Sequence, residues 1–426
     1  MTGVARIVLT LAVFGAMLVL MVVRPRRWSE AWWTMLAAGV MLALGLVTPR
    51  EAATAIFAGK NTLLFLLSLL ALSLLVGKSG FFDWAAIRCA RIANEDAHSL
   101  YRNAFVAGAI ITAILSLDTT AVMLTPILLA LVRRLKVPAA PYVVLCAFVA
   151  NVGSLLLPIS NLTNLLFADA FHLTFAAFAA RMIVPQLVAL ASTYAVLRWR
   201  FRRDLPNRFD SEALPEPASV IPSRPYFLLC TSVLGAVLIC YFLAPLIGLE
   251  PYVFAFAASA VLALAGTVSG RVHIGAAREI AWDIFPFVIG LFVAVQGLEN
   301  LGIVAVSSGW LAEMKPGSPE KLLAAAGATA FASNLMNNLP AALIARSVLL
   351  RSHAHMGTVL AALVGANVGS MITPFGSLAT MLVFAFARRD GEEVRAGQLV
   401  KLGLWAVPAI VVLTVLALAF TFALVR

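Results

Sequence analysis

Residues 150–164 read ANVGSLLLPISNLTN, and residues 366–380 read ANVGSMITPFGSLAT. Asn151, Gly153, Ser154, Pro158 and Leu162 meet Asn367, Gly369, Ser370, Pro374 and Leu378 at one constant offset. Ser160-Asn161 faces Gly376-Ser377, and Thr163-Asn164 faces Ala379-Thr380. Low complexity does not produce such a match, whereas an internal duplication does. Each copy lies in a long apolar stretch, 141–170 and 357–387. Pro158 and Pro374 remove a backbone donor and break a helix where they stand. Freed amides and carbonyls at membrane depth are tolerated only inside protein or beside a watery cavity. The pattern predicts two broken helices meeting at a polar centre.

Two further segments, 103–132 and 322–350, are interrupted by polar residues. The first breaks at Asp118-Thr119-Thr120 and the second at Asn337-Asn338, with Pro340 next. Each half of about 15 residues makes roughly 22 Å of helix, too short for about 30 Å of hydrocarbon. Re-entrant hairpins are expected there, with Asp118-Thr119 set against Asn337-Asn338. Asp118 and Asn338 look like N-caps, since Asp and Asn accept from orphan helix donors. Other apolar spans fall near 5–23, 31–48, 62–79, 175–197, 226–248, 252–270, 278–298 and 398–425. The run Val8 to Val23 is long for a signal peptide and lacks an A-x-A site, so it reads as a retained helix. The Pro-, Asp- and Glu-containing stretch 199–225 divides the chain nearly in half. Residues 1–198 form a first repeat, 199–225 a cytoplasmic linker and 226–426 a second repeat. An odd number of five spans per half gives the halves opposite topology, the inverted-repeat plan.

The bulk composition agrees. Of 426 residues, 62% are hydrophobic and 12% charged, against about 25% charged in a soluble domain. The formal net charge of +11 would suggest nucleic acid in a soluble protein. Here the cations gather in short loops between apolar runs, as the positive-inside rule requires, so a nucleic-acid partner is not expected and membrane lipid is. Arg24, Arg26 and Arg27 put the first loop in the cytoplasm. Arg88, Arg91, Arg133, Arg134, Lys136 and the Arg-rich start of the linker follow, and Arg271, Arg278, Arg388 and Arg389 land on the same side. Cys89, Cys146, Cys230 and Cys240 show neither a CxxC pair nor metal spacing. The five histidines have no ligand spacing. No HExxH, Walker A, GxSxG or GxGxxG motif occurs. An enzyme, a cofactor and a metal centre are therefore not expected.

The residues able to carry chemistry are the polar ones in the broken helices and hairpins. Asn151, Ser154, Ser160, Asn161, Thr163 and Asn164 form the first cluster, and Ser370, Thr373, Gly376, Ser377 and Thr380 the second. Asn337 and Asn338 at the second hairpin complete the candidate substrate site. The competing reading is Ser, Thr and Asn glue between packed helices. Asp118 is an ionisable group at membrane depth and hence a candidate for proton coupling; Asp169, which closes the first broken helix, is the second. Asp83, Asp283 and Glu299 lie near span ends, where solvated charge is expected.

These residues resemble the arsenical pump membrane protein family, the arsenite and antimonite efflux permeases of the ion transporter superfamily. The resemblance covers nearly the whole chain. It rests on SGFFDWAA at 79–86, DTTAVMLTPI at 118–127, SNLTNLLFADAF at 160–171, MNNLPAALI at 336–344 and ITPFGSLAT at 372–380. The family carries an Asn before the hairpin Asp, where this chain has Leu117. The resemblance implies a multi-pass protein of the bacterial inner membrane that exports arsenite or antimonite against protons, and some members associate with a soluble ATPase. Arsenite at neutral pH is mostly the uncharged trihydroxide, which an Asn-, Ser- and Thr-rich site without mid-membrane Lys or Arg suits. The alternative is a sodium-coupled anion carrier or sodium/proton antiporter of the same superfamily, with SNLTN as sodium ligands. An intramembrane enzyme or a receptor subunit would carry no flux.

Overall fold

The structure is a computed structural model that describes residues 3–23, 25, 28–212, 214–392 and 396–424. Arg24, Arg26 and Arg27, on which the orientation argument begins, lie outside the described residues. All regular structure among the described residues is helical. The first half runs α1 (Gly3–Val23), α2 (Glu30–Ala43), α3 (Pro49–Ala58), α4 (Lys60–Lys78) and α5 (Phe81–Ile92). It continues with α6 (Ala97–Ile114), α7 (Leu117–Thr119), a π-turn (Thr120–Leu124) and α8 (Thr125–Arg134), then α9 (Ala140–Val152), α10 (Leu162–Ala170) and α11 (Phe175–Phe201). The second half runs α12 (Arg224–Ile247), α13 (Pro251–Val268), α14 (Ile284–Glu299), α15 (Ile303–Glu313), α16 (Pro319–Met336), α17 (Asn338–Arg351), α18 (Met356–Asn367), α19 (Leu378–Arg389) and α20 (Ala396–Leu424). The order of the first half recurs in the second, apart from α3.

Six described helices are long and apolar enough to cross a membrane: Val4–Met21, Lys60–Lys78, Phe175–Phe201, Arg224–Ile247, Pro251–Val268 and Gly397–Leu424. The apolar runs at 31–48 and 278–298 are longer than their helices. α2 stops at Ala43 because Gly45 turns the chain with φ +67, and Thr48 then starts α3 with a capping box to Glu51. α14 begins only at Ile284, after a 3-10 stretch Ile274–Glu279. The linker is also shorter than its polar composition, since α11 continues to Phe201 and α12 starts at Arg224.

The halves interlock. α2 packs on α14, α4 packs on α13, and α11 lies along α20. α9 and α18 occupy the middle and are buried on all sides, which is why their sequences are apolar without helical periodicity. Close approach there depends on small residues. Gly153 lies against Ala109 in the first half, and Gly369 lies against Ala330 in the second. A Cβ at Gly365 would strike the Ala326 carbonyl.

Ion pairs define one face of the bundle. Lys78 meets Glu279 at 2.7 Å, Arg91 meets Glu216 at 2.8 Å, and Arg133 reaches Glu392 at 3.5 Å. The linker belongs to this face, where Asp96 and Arg208 form a β-bridge. Following the helices from it, the hairpin α6–α8 starts and ends on the linker face. The hairpin α16–α17 starts and ends on the opposite face, where Arg6 and Asn300 both donate to the Leu46 carbonyl.

Candidate functional site

The hairpin tips share a strained backbone. Ser116 has φ 152 and ψ 167, and Asn337 has φ 76 and ψ 154. Only glycine adopts this region readily. Both are caps: Ser116 Oγ accepts from the Thr119 amide at 3.2 Å, and Asn337 Oδ1 accepts from the Leu339 amide at 3.3 Å. The caps therefore fall earlier than the sequence suggested. Asp118 is not the N-cap but the second residue of the helix, and Asn338 is its first. The break precedes Asp118-Thr119-Thr120, and Ser116, rather than Asp118, is the counterpart of Asn337. The π-turn is closed by the Thr125 amide on the Thr120 carbonyl, to which Thr125 Oγ1 also donates at 3.1 Å.

The broken helices do unwind where the sequence placed the break. Asn161 adopts extended backbone and caps α10 through the Thr163 amide at 3.1 Å. Ser377 is its counterpart ahead of α19, but its side chain makes no cap bond, and its Oγ is buried without a partner. The two copies are joined by reciprocal bonds. Asn151 Nδ2 donates to Thr380 Oγ1 at 2.9 Å, and Asn367 Nδ2 donates to Asn164 Oδ1 at 2.7 Å. Each pair is the other's image under the repeat offset. Ser154 Oγ donates to the Asn151 carbonyl at 2.7 Å, as Ser370 Oγ does to the Asn367 carbonyl at 2.8 Å. Thr163 Oγ1 adds a bond to Asn367 Oδ1 at 2.6 Å.

The starts of α7, α10, α14, α17 and α19 close on a cavity of about 30 Å³, room for one or two waters. It is lined by Leu117, Asp118, Asn161, Leu162, Thr163, Ile284, Phe287, Asn337, Asn338, Leu339 and Leu378. Five of the candidate residues thus come together: Asp118, Asn161, Thr163, Asn337 and Asn338. Helix N-termini direct partial positive charge and amide donors at this point. Asp118 makes no hydrogen bond or ion pair with another described residue, and none of the described lining residues is Lys or Arg.

The other candidates stand behind the cavity. Asn164 Nδ2 satisfies the Ser154 and Leu157 carbonyls at 2.6 and 2.9 Å. Ser160 Oγ donates to the Ala113 carbonyl at 2.8 Å, which ties the first break to the first hairpin. Gly376 sits where a Cβ would strike the Ser370 carbonyl, and its own carbonyl accepts from the Asn338 amide at 2.8 Å. Asp169 is elsewhere: it borders a separate cleft of about 390 Å³, together with Thr62, His172, Tyr241 and Glu250.

Two residues that the sequence did not single out complete the frame. Asn334 donates to the Gly369 carbonyl at 2.7 Å and accepts from the Thr373 amide at 2.9 Å. Gln186 in α11 accepts from the Leu155 amide and donates to the Val152 carbonyl, both at 2.9 Å. A lone Gln in a long apolar helix was the available signal.

Broken helices and opposed hairpins around one polar cavity, within an all-helical apolar bundle, define a multi-pass membrane transporter. Its family follows from comparison with known proteins. The arsenical pump membrane protein family model matches residues 9–422, and the chain belongs to that family. It is 30% identical over 421 residues to the arsenical pump membrane protein of Yersinia enterocolitica, covering 96% of this chain and 97% of that one. It is 30% identical over 418 residues to the protein of the same description in Escherichia coli strain K12, again covering 96% and 97%. The crystal structure of the Alcanivorax borkumensis YdaH transporter shares the fold with a TM-score of 0.55 at 18% identity, over 85% of each chain. The protein is thus an arsenical transporter of the bacterial inner membrane and not an enzyme.

Proposed function

We propose that the chain exports trivalent arsenic or antimony as the neutral trihydroxide in exchange for protons, by alternating access between two inverted repeats. The observation that carries this reading is the unpaired Asp118 carboxylate in a cavity otherwise lined by amides, a hydroxyl, helix N-termini and apolar side chains. Such a lining offers donors and acceptors to a small polyhydroxy solute and no counter-cation to an anion. A solute of a few heavy atoms would need only a modest widening of this cavity, an organic anion a much larger one. The clustering of Arg88, Arg133, Arg200, Arg271 and Arg388 near the linker-side helix ends supports a cytoplasmic linker face. Asp118 then takes a proton when the cavity faces outward and gives it up when the cavity faces the cytoplasm. One proton inward for one neutral solute outward moves one charge, so the membrane potential contributes about 2.3 kcal/mol per 100 mV.

Asp118→Asn keeps the shape of the side chain and removes the titratable group. In energised everted vesicles, wild type should accumulate arsenite and lose it on adding a protonophore. Asp118→Asn should show no uphill accumulation at normal membrane abundance. Protonophore-sensitive accumulation by Asp118→Asn would rule the residue out as the proton carrier.

A further inference from the structure

The separate cleft lies on the face opposite the linker. Lys78, at the end of α4, pairs with Glu279 on the linker face, so the start of α4 lies on the other side. α11 ends and α12 begins at the linker, so the start of α11 and the end of α12 lie there too. With the end of α10 and the start of α13, these segments wall a volume of about 390 Å³. First-half helices α4, α10 and α11 thus face second-half helices α12 and α13 across it. Two of the lining residues carry hydroxyls without partners. Thr62 Oγ1 and Tyr241 Oη are buried and make no hydrogen bond, in residues only 2% and 1% exposed. Folded proteins leave few such groups unpaired, because each has given up its hydration without replacement. The Tyr241 ring is fixed by its neighbours: it stacks on Phe175 with centroids 4.9 Å apart and lies 5.4 Å from Phe65. Asn61, Asp169, His172 and Glu250 add polar groups, and none of the described lining residues is Lys or Arg.

The cleft also reaches the first break. Pro158 and Leu165 line it, while Asn161, Leu162 and Thr163 line the central cavity. Thr163 and Leu165 are two residues apart on α10, about 3 Å of helix rise. α10 is therefore the partition between the central cavity and the cleft. We infer that the cleft is an outer binding station for the same neutral trihydroxide, with the Thr62 and Tyr241 hydroxyls as its ligands. Each hydroxyl can both donate and accept, which matches a solute whose every oxygen does the same. The Asp169 and Glu250 carboxylates accept further O–H donors and repel an anion. This inference rests on the export reading above and extends it. Solute that leaves the central cavity passes α10 and is held here before release to the outside.

The test compares the two faces in everted vesicles, whose lumen bathes the cleft. Initial arsenite exit from preloaded, de-energised vesicles gives the half-saturating concentration on the luminal side. Initial uptake from the medium gives it on the linker side. Tyr241→Phe keeps the ring stack and removes only the hydroxyl, and Thr62→Val keeps the shape of the side chain. Each should raise the luminal half-saturating concentration roughly two- to tenfold, the scale of one lost hydrogen bond. The linker-side value and the membrane abundance should stay at wild type. An unchanged luminal value in both variants, or an equal change on both sides, would overturn the inference while leaving export intact. Exit blocked competitively by luminal tetramethylammonium and not saturated by arsenite would assign the cleft to a cation and overturn it as well. Wild-type vesicles that carry no arsenite in either direction would overturn the export reading and this inference together.

Discussion

The two hairpins make the same turn with different chemistry. Ser116 and Asn337 hold equivalent strained positions, yet only the first tip carries an acid into the cavity. The first hairpin is strapped from outside. Asn103 donates to the Cys89 carbonyl of α5 at 3.1 Å, and Ser73 of α4 bonds Thr119 at 2.8 Å. Arg91 on α5 in turn holds the linker through the Leu214 carbonyl at 3.3 Å. The second hairpin is held instead by the broken helix beside it, with Asn337 Nδ2 donating to the Phe375 carbonyl at 3.1 Å and Asn334 gripping the second break. An apolar groove of about 390 Å³ beside Trp310 and Ile344 separates α15 from it. The two tips thus share one backbone device, and the first carries the acid while the second carries neutral amides.

The hairpins differ most in how they tolerate an added methyl group. Gly365→Ala forces a Cβ into the Ala326 carbonyl, and backbone cannot yield as a side chain can. Gly108→Ala in the first half meets a Val149 methyl at 2.8 Å, which can shift, and it gains about 1 kcal/mol of helix propensity. Gly365→Ala should cost at least the roughly 1–3 kcal/mol typical of overpacking and lower the Tm in detergent by several degrees. Gly108→Ala should stay close to wild type. Equal losses would mean that the second hairpin is not the more tightly seated against its broken helix.

The two breaks differ more modestly. Asn161→Ala removes a cavity-lining amide and a helix cap, the latter worth about 1 kcal/mol, and should cut arsenite flux at least about tenfold at near-normal expression. Ser377→Ala removes a hydroxyl that has no protein partner, so stability should not fall. Its flux should nonetheless drop, because the buried hydroxyl is free to meet a solute when the cavity widens. Normal transport by both variants would make the duplicated cluster packing glue.

Much of this arrangement was legible in the sequence because the constraint is local. A proline among paired Asn and Ser residues in an apolar run has few structural solutions, and the offset that aligns Asn151 with Asn367 marks both breaks. The hairpin tips were less legible. Ser116, Asp118, Asn337 and Asn338 all cap well, so composition alone does not say which residue turns the chain. The second helix of the hairpin also runs from Leu117 to Arg134 in one half and only from Asn338 to Arg351 in the other, which hides the true alignment. The division of labour among the Asn residues was not legible, because Asn164 and Asn161 differ only in whether they face a carbonyl or the cavity. Glu299 looked like an ordinary charge near a span end, because its partner Ser347 lies on another helix, far along the chain.

Alternating access between the halves requires the two hairpins to open to opposite faces. In a variant whose four native cysteines are replaced, single cysteines at Ser219 in the linker and Ser352 at the end of α17 report the two faces directly. In intact cells, Ser352→Cys should react with a membrane-impermeant thiol reagent, whereas Ser219→Cys should react only with a permeant one. Labelling of both from the same side would contradict the inverted arrangement and, with it, the alternating-access account.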